Sequence, residues 1–140
     1  RTDYEKDKFM LTKLLDLYDN VALWIQGTSD YKYFEQLGIE SDRIKIIPPK
    51  LHLYDEYLAN NDVDFVGTRL HAGIRAMQYK KRALIIGVDN RAKEMAKDKN
   101  INVLDRERIE DLEGMIENEI HTKILLPIEE IKEWIGQFNR

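Results

Sequence analysis

Cysteine is absent from this 140-residue chain, so neither a disulfide framework nor a thiolate metal site is available to it. An excess of positive charge is missing too. The formal net charge of −4 leaves no electrostatic footprint for nucleic acid, and no nucleic-acid partner is expected. No apolar stretch approaches the roughly 20 residues that a bilayer-spanning helix needs, and no signal peptide is visible. A cytoplasmic location is expected, with association at the inner face of the membrane left open. The opening Arg1-Thr2-Asp3 lacks a methionine, and the chain is read as a piece cut from a longer protein. The nucleotide fingerprints GxGxxG and Walker A are absent, as is a nucleophile elbow of the G-x-S-x-G kind. The three histidines, His52, His71 and His121, show no metal-ligand spacing, and no metal is expected. His52 and His121 read as surface or packing residues, and Trp24 and Trp134 as core.

What the chain does have is apolar patterning along its whole length. It is 43% hydrophobic and 34% charged, enough to bury a core and stay in solution. Phe9, Met10, Leu14, Leu15, Leu17 and Tyr18 give residues 3–18 one apolar helical face. Short apolar runs at 21–25, 43–47, 63–66, 83–88 and 101–104 read as strands. Between them, 30–37, 51–58, 70–79 and 91–97 read as helices, with Ser29 or Asp30 capping the first and Gly38 stopping it. Two more helices are expected at 109–120 and 128–138, the latter with Pro127 near its first turn. The charge-rich stretch 106–123 reads as a solvated helix face. Strand and helix thus alternate five times. That order predicts an α/β fold: a Rossmann-like, three-layer parallel sheet of about five strands with helices on both faces. The strands are continuous apolar runs, as a sheet buried on both sides requires. The whole of 1–140 is expected to form one such domain.

In open parallel sheets, ligands bind beyond the carboxyl ends of the strands, beside helix N-termini. That rule selects the loops at 26–30, 48–50, 67–71, 89–91 and 105–108. The third is the most informative. Val63-Asp64-Phe65-Val66 runs into Gly67 and Thr68, and a helix then opens with Arg69-Leu70-His71. Gly67 lets the chain turn and a ligand approach the backbone, and Thr68 is a candidate helix cap. Arg69 and His71 fall in the first turn, where the helix dipole already places partial positive charge and where stability alone would favour Asp or Glu. Basic groups beside backbone N–H groups instead make an anion site. The bland alternative pairs Arg69 with a carboxylate and buries His71 as a hydrogen-bonded histidine; the loop position and the neighbouring arginine favour the anion site. In the next loop Asp89 or Asn90 can cap the following helix. Arg91 either reaches the same anion as Arg69 or is an ordinary surface arginine.

The run Asp64-Phe65-Val66-Gly67-Thr68-Arg69-Leu70-His71-Ala72, followed by Ala83-Leu84-Ile85-Ile86 and then Asp89-Asn90-Arg91, resembles the polysaccharide pyruvyl transferases. The likeness is good over 63–94 and looser from Val21 to Asp105. Val88 stands where that family often has tyrosine, and Asn90 where it often has proline. The resemblance implies the C-terminal, donor-binding half of an enzyme built like the two-domain glycosyltransferases with facing Rossmann-like halves. It implies a transferase that moves a pyruvyl group from phosphoenolpyruvate onto a saccharide or lipid-linked oligosaccharide acceptor. Phosphoenolpyruvate is then the donor substrate, and no cofactor is expected. It makes His71 the catalytic candidate, with Gly67, Thr68, Arg69, Leu70, Asp89, Asn90 and Arg91 binding the donor. Two other readings suit the same fold: a glycosyltransferase domain that holds a nucleotide sugar at the same helix start, and a non-catalytic flavodoxin-like scaffold. A phosphoacceptor receiver would want an aspartate after the third strand, where Gly67-Thr68 stands instead.

Overall fold

The computed structural model describes residues 3–98 and 101–118. The expected helix at 128–138, with Pro127, Trp134 and also His121, lies outside them. The chain divides into two compact units, Arg1–Tyr57 and Leu58–Arg140. Strand and helix alternate in both, and all the strand pairings are parallel: the fold is α/β. Hydrogen bonds group the five strands as a pair and a triple.

The first unit holds α1 (Tyr4–Leu17), β1 (Val21–Trp24), α2 (Thr28–Gln36), β2 (Ile44–Ile47) and the start of α3 (Leu51–Asn60). Asp3 caps α1 by accepting the Lys6 N–H at 3.2 Å, and Leu11, Leu14 and Leu15 are its buried residues. Phe9, expected on that face, is instead 39% exposed, with the Lys13 ammonium over its ring. At the far end of α1, Arg43 Nη1 donates to the carbonyls of Leu15 and Tyr18, at 2.9 and 3.0 Å, so that a guanidinium closes the helix. The α2 helix starts at Thr28, two residues earlier than the expected start at Asp30. Its N-cap is Gly27, which has no side chain, and Asp30 takes the Gln26 N–H at 2.8 Å. Gly38, at φ 68°, ends it as anticipated. β1 and β2 pair from Val21↔Ile44 to Trp24↔Ile47. Trp24 is half-buried rather than core. It stacks on Tyr54 with ring centroids 4.1 Å apart and donates to the Pro48 carbonyl.

The second unit carries β3 (Phe65–Gly67), α4 (Leu70–Gln78), β4 (Ala83–Gly87), α5 (Asn90–Asp98), β5 (Val103–Asp105), a 3-10 segment (Arg106–Asp111) and α6 (Leu112–Asn118). The strand order is β3-β4-β5, in register Phe65↔Ala83, Ile85↔Val103 and Gly87↔Asp105. Partners in a parallel ladder point to the same side, so Phe65, Gly67, Ala83, Ile85, Gly87, Val103 and Asp105 share one face. α4 packs there through Gly73, against Ile85 and Phe65. α5 packs there through Lys93, whose stem lies over Gly87. Two successive right-handed crossovers between sequential strands require both helices on that one side. Ile74, Met77, Ala83, Ile85, Ala96 and Ile101 form the core between them. Leu84, Ile86 and Leu104 point to the opposite face and are buried as well, at 0%, 1% and 6% exposure. In the described part of the expected helix at 109–120, the end of the 3-10 segment is followed by α6. Ile109, Leu112 and Ile116 are buried, and Glu110, Asp111, Glu113 and Glu117 are exposed, as on a solvated face, while 119–123 lie outside the described residues.

The amino ends of β3 and β4 are tied by Arg82, whose Nε and Nη2 reach the two oxygens of Asp64 at 2.9 and 2.5 Å. That two-pronged pair sets register at the edge away from the candidate site. α4 ends with the Lys80 N–H on the Met77 carbonyl and the Lys81 N–H on that of Ala76, with Lys80 at φ 63°. A Schellman ending places a left-handed residue there, where glycine is at home and a side chain costs about 1–2 kcal/mol. Lys80→Gly is therefore expected to raise the unfolding midpoint in urea, by roughly 0.5–1 kcal/mol of stability once glycine's extra unfolded-state freedom is counted.

Candidate functional site

The carboxyl edge of the β3-β4-β5 sheet gathers three turns. β3 delivers Gly67, after which the chain bends at Thr68 and stays extended through Arg69 (φ −93°, ψ 104°) before α4 begins. The N-cap is thus Arg69 and not Thr68, and Arg69 stands just outside the helix rather than in its first turn. Its carbonyl accepts the first helical hydrogen bond, from the Gly73 N–H at 3.1 Å, and its side chain makes no capping bond. Thr68 and Arg69 are exposed, while Gly67, Leu70 and His71 are half-buried. Leu70 packs against the core beneath. His71 is the second residue of α4, at the start of the helix where the sequence placed it.

β4 runs two residues past the last residue it pairs with on β3, to Gly87, and leads into the second turn. The Asp89 carbonyl accepts the Lys93 N–H at 3.2 Å, which makes Asp89 the N-cap of α5. Asn90 is then its first residue and Arg91 its second. Both are exposed, and Asp89 is half-buried. His71 and Arg91 therefore hold the same position in two neighbouring helices on one face of one sheet. The fold brings the two sequence-predicted turns to a single edge. The loops at 26–30 and 48–50 belong to the first unit and carry turn and cap chemistry, and His52 is exposed.

The third turn, the 105–108 loop that the same rule selects, contributes a pairing that sequence reasoning overlooked. Asp105 ends β5 and caps the 3-10 segment, with Oδ1 accepting the Glu107 N–H at 3.0 Å. Its Oδ2 takes the Lys93 ammonium at 2.8 Å. That bond, and after it the Glu107 N–H, hold the Asp105 carboxyl below its ordinary range. Lys93 reaches Asp105 by crossing Gly87 so closely that a Cβ on Gly87 would lie 2.4 Å from the lysine Cγ. The sequence signal was a glycine at the end of a buried strand, a lysine six residues later and an aspartate closing the next strand. Beside this pair lies an open groove of about 290 Å³, lined by Asn90, Lys93, Glu94, Lys97, Ile101 and Val103. Among the described residues, no group of three or more His, Asp or Glu side chains is arranged to hold a metal ion. No described helix is long and apolar enough to cross a membrane.

Burial holds the His71 imidazole below its ordinary pKa of 6.5. The neutral ring is therefore favoured in the empty protein, and desolvation is the cause. For a histidine lowered on folding, the unfolded chain takes up the proton first as pH falls. Stability tied to His71 is complete above 6.5 and declines as the pH drops below it. The unfolding midpoint should therefore fall between pH 7 and 5, and fall less in His71→Gln. Equal slopes in the two proteins would show that His71 carries none of the effect.

Chemically, this edge presents two arginines, an imidazole and two helix starts, which together suit an anion with more than one oxyanion group. Compared with family models, with curated proteins and with solved structures, the chain finds no match.

Proposed function

We propose that this chain is the donor-binding half of a polysaccharide pyruvyl transferase, holding phosphoenolpyruvate at the carboxyl edge of the β3-β4-β5 sheet. The observation that carries this reading is the repeated placement of a basic side chain at the second residue of adjacent helices, His71 on α4 and Arg91 on α5, with Arg69 at the N-cap between strand and helix. The Arg91 guanidinium works against the α5 dipole, and the neutral His71 ring gains nothing from that of α4, so helix stability does not account for them, whereas a bound dianion would. Phosphoenolpyruvate carries a phosphate and a carboxylate. A guanidinium binds either through two parallel hydrogen bonds. Arg69 and Arg91 would hold the anionic groups and Gly67, Thr68, Leu70, Asp89 and Asn90 would shape the turns around them. His71, neutral when empty, would gain a proton beside the phosphate and either donate it to the leaving group or neutralise the charge. The saccharide acceptor would be held by a further domain, and both reactants must be positioned together for transfer.

The direct test is a thermal-shift comparison of phosphoenolpyruvate with a panel of nucleotide sugars. Stabilisation by phosphoenolpyruvate alone supports the reading. Stabilisation by nucleotide sugars alone would make the chain a glycosyltransferase donor domain, and none by either would leave the scaffold reading.

Arg91 gives a second measurement. Arg91→Ala is expected to weaken phosphoenolpyruvate binding by about 1.5–3 kcal/mol, the worth of a hydrogen bond to a charged group. Arg91→Lys should lose nearly as much, because an ammonium cannot copy the fork. Melting temperature should hold in both, since the side chain is exposed. Unchanged affinity in both would return Arg91 to the ordinary surface.

A further inference from the structure

The Lys93–Asp105 pair is expensive in structure and small in stability. Its side chains are 30% and 38% exposed, and an ion pair so open to solvent contributes little to stability. Yet it requires Gly87 to stay bare at the end of a buried strand, because the lysine Cγ and Cδ occupy the space a Cβ would take, at 2.4 and 2.9 Å. The stem is laid across the end of β4, and the ammonium arrives at the level of the β5 terminus, since Gly87 and Asp105 are ladder partners. Lys93 also lines the groove, as does Asn90, the first residue of α5. Asp105 divides its oxygens: Oδ1 stays on the Glu107 N–H while Oδ2 holds the lysine. The ammonium can leave without stripping the carboxylate of its other hydrogen bond or uncapping the 3-10 segment. Lys97 adds a second positive charge to the groove wall and Glu94 a negative one, while Ile101 and Val103 give it apolar surface.

We propose that Lys93 is a further donor-binding residue, resting on Asp105 in the empty protein and turning to an oxyanion group of the phosphorylated carboxylate when the donor binds at the carboxyl edge. This rests on the donor-binding reading above and extends the site from β3 and β4 to β5. Asp105 is then the ligand's competitor for the lysine, and removing its charge should help binding rather than harm it.

The experiment is calorimetric titration of phosphoenolpyruvate into the chain and into Lys93→Met, Asp105→Asn and Arg69→Ala, with the unfolding midpoint of each. Methionine keeps the stem over Gly87 and removes only the charge. Lys93→Met is expected to lose about tenfold or more in affinity with little change in midpoint. Asp105→Asn retains an oxygen for the Glu107 N–H and is expected to bind several-fold more tightly. A purely structural bridge gives the other pattern, in which both variants lower the midpoint and neither alters affinity; that result overturns the proposal. If Arg69→Ala loses binding while Lys93→Met does not, the extension to β5 falls and the donor reading stands. If the unaltered chain binds no phosphoenolpyruvate, both fall.

Discussion

Alanine in place of His71 is expected to leave the fold intact and to remove most of the function. On the proposed pyruvyl-transfer reading, turnover should drop by about 10²–10⁴-fold if the imidazole serves as a general acid. His71 is half-buried, outside the core that Ile74, Met77 and Ile85 make beneath α4, so truncation opens no large cavity. His71→Gln separates the two roles. It should retain some donor affinity if the ring only hydrogen-bonds, and lose turnover if a proton is transferred. The pH dependence follows from the direction of the imidazole's shift. Burial keeps the empty site neutral near pH 7, below the ordinary 6.5 in pKa. A bound dianion favours the charged ring, so binding should take up a proton and weaken as pH rises through the pKa of the complex. Titrations in buffers of different ionisation enthalpy measure that uptake. A variant that is markedly destabilised and still binds phosphoenolpyruvate normally would make His71 a packing residue.

The largest loss of stability is expected from Ile85→Ala, at about 2–5 kcal/mol. Ile85 is fully buried in the central strand of the triple, and its Cδ1 occupies the space beside Gly73. A Cβ built on Gly73 would come within 2.6 Å of that methyl and 3.1 Å of the Phe65 ring. Gly73→Ala alone should therefore be destabilising, as overpacking costs about 1–3 kcal/mol against a helix-propensity gain of about 1 kcal/mol. Ile85→Val removes the offending methyl. Combined with Gly73→Ala it should cost less than the two single changes summed, and the difference is the coupling energy of the contact. Strict additivity in urea denaturation would mean that α4 shifts away from the sheet to accept the new methyl.

Much of this architecture is legible from one dimension. The Ala83–Ile86 run is apolar at every position, and the strand it forms is buried on both sides, Leu84 and Ile86 to one face and Ile85 to the other. Gly38 and the apolar positions of α1 at Leu14 and Leu15 were readable for the same reason: local backbone preference and helical period are written in neighbouring residues. The errors came at helix starts and at amphipathic aromatics. Thr68 has the chemistry of a cap, but the strand's exit carries the extended backbone one residue further and Arg69 takes the position. Phe9 lies one residue from the buried stripe, and its ring is held at the surface beside Lys13.

The sequence by itself determined the alternation of parallel strands and helices, and with it the edge that carries the candidate site. Both follow from short-range periodicity and the handedness of crossover connections. Only the tertiary structure decided that the strands pair as two and three, and that His71 and Arg91 stand at matching positions of adjacent helices. It alone decided that Lys93 lies over Gly87 to meet Asp105. Those facts depend on ladder register between β4 and β5 and on the closeness of helix to sheet. Register and packing distance are set by contacts between residues far apart in the chain, which no local pattern encodes.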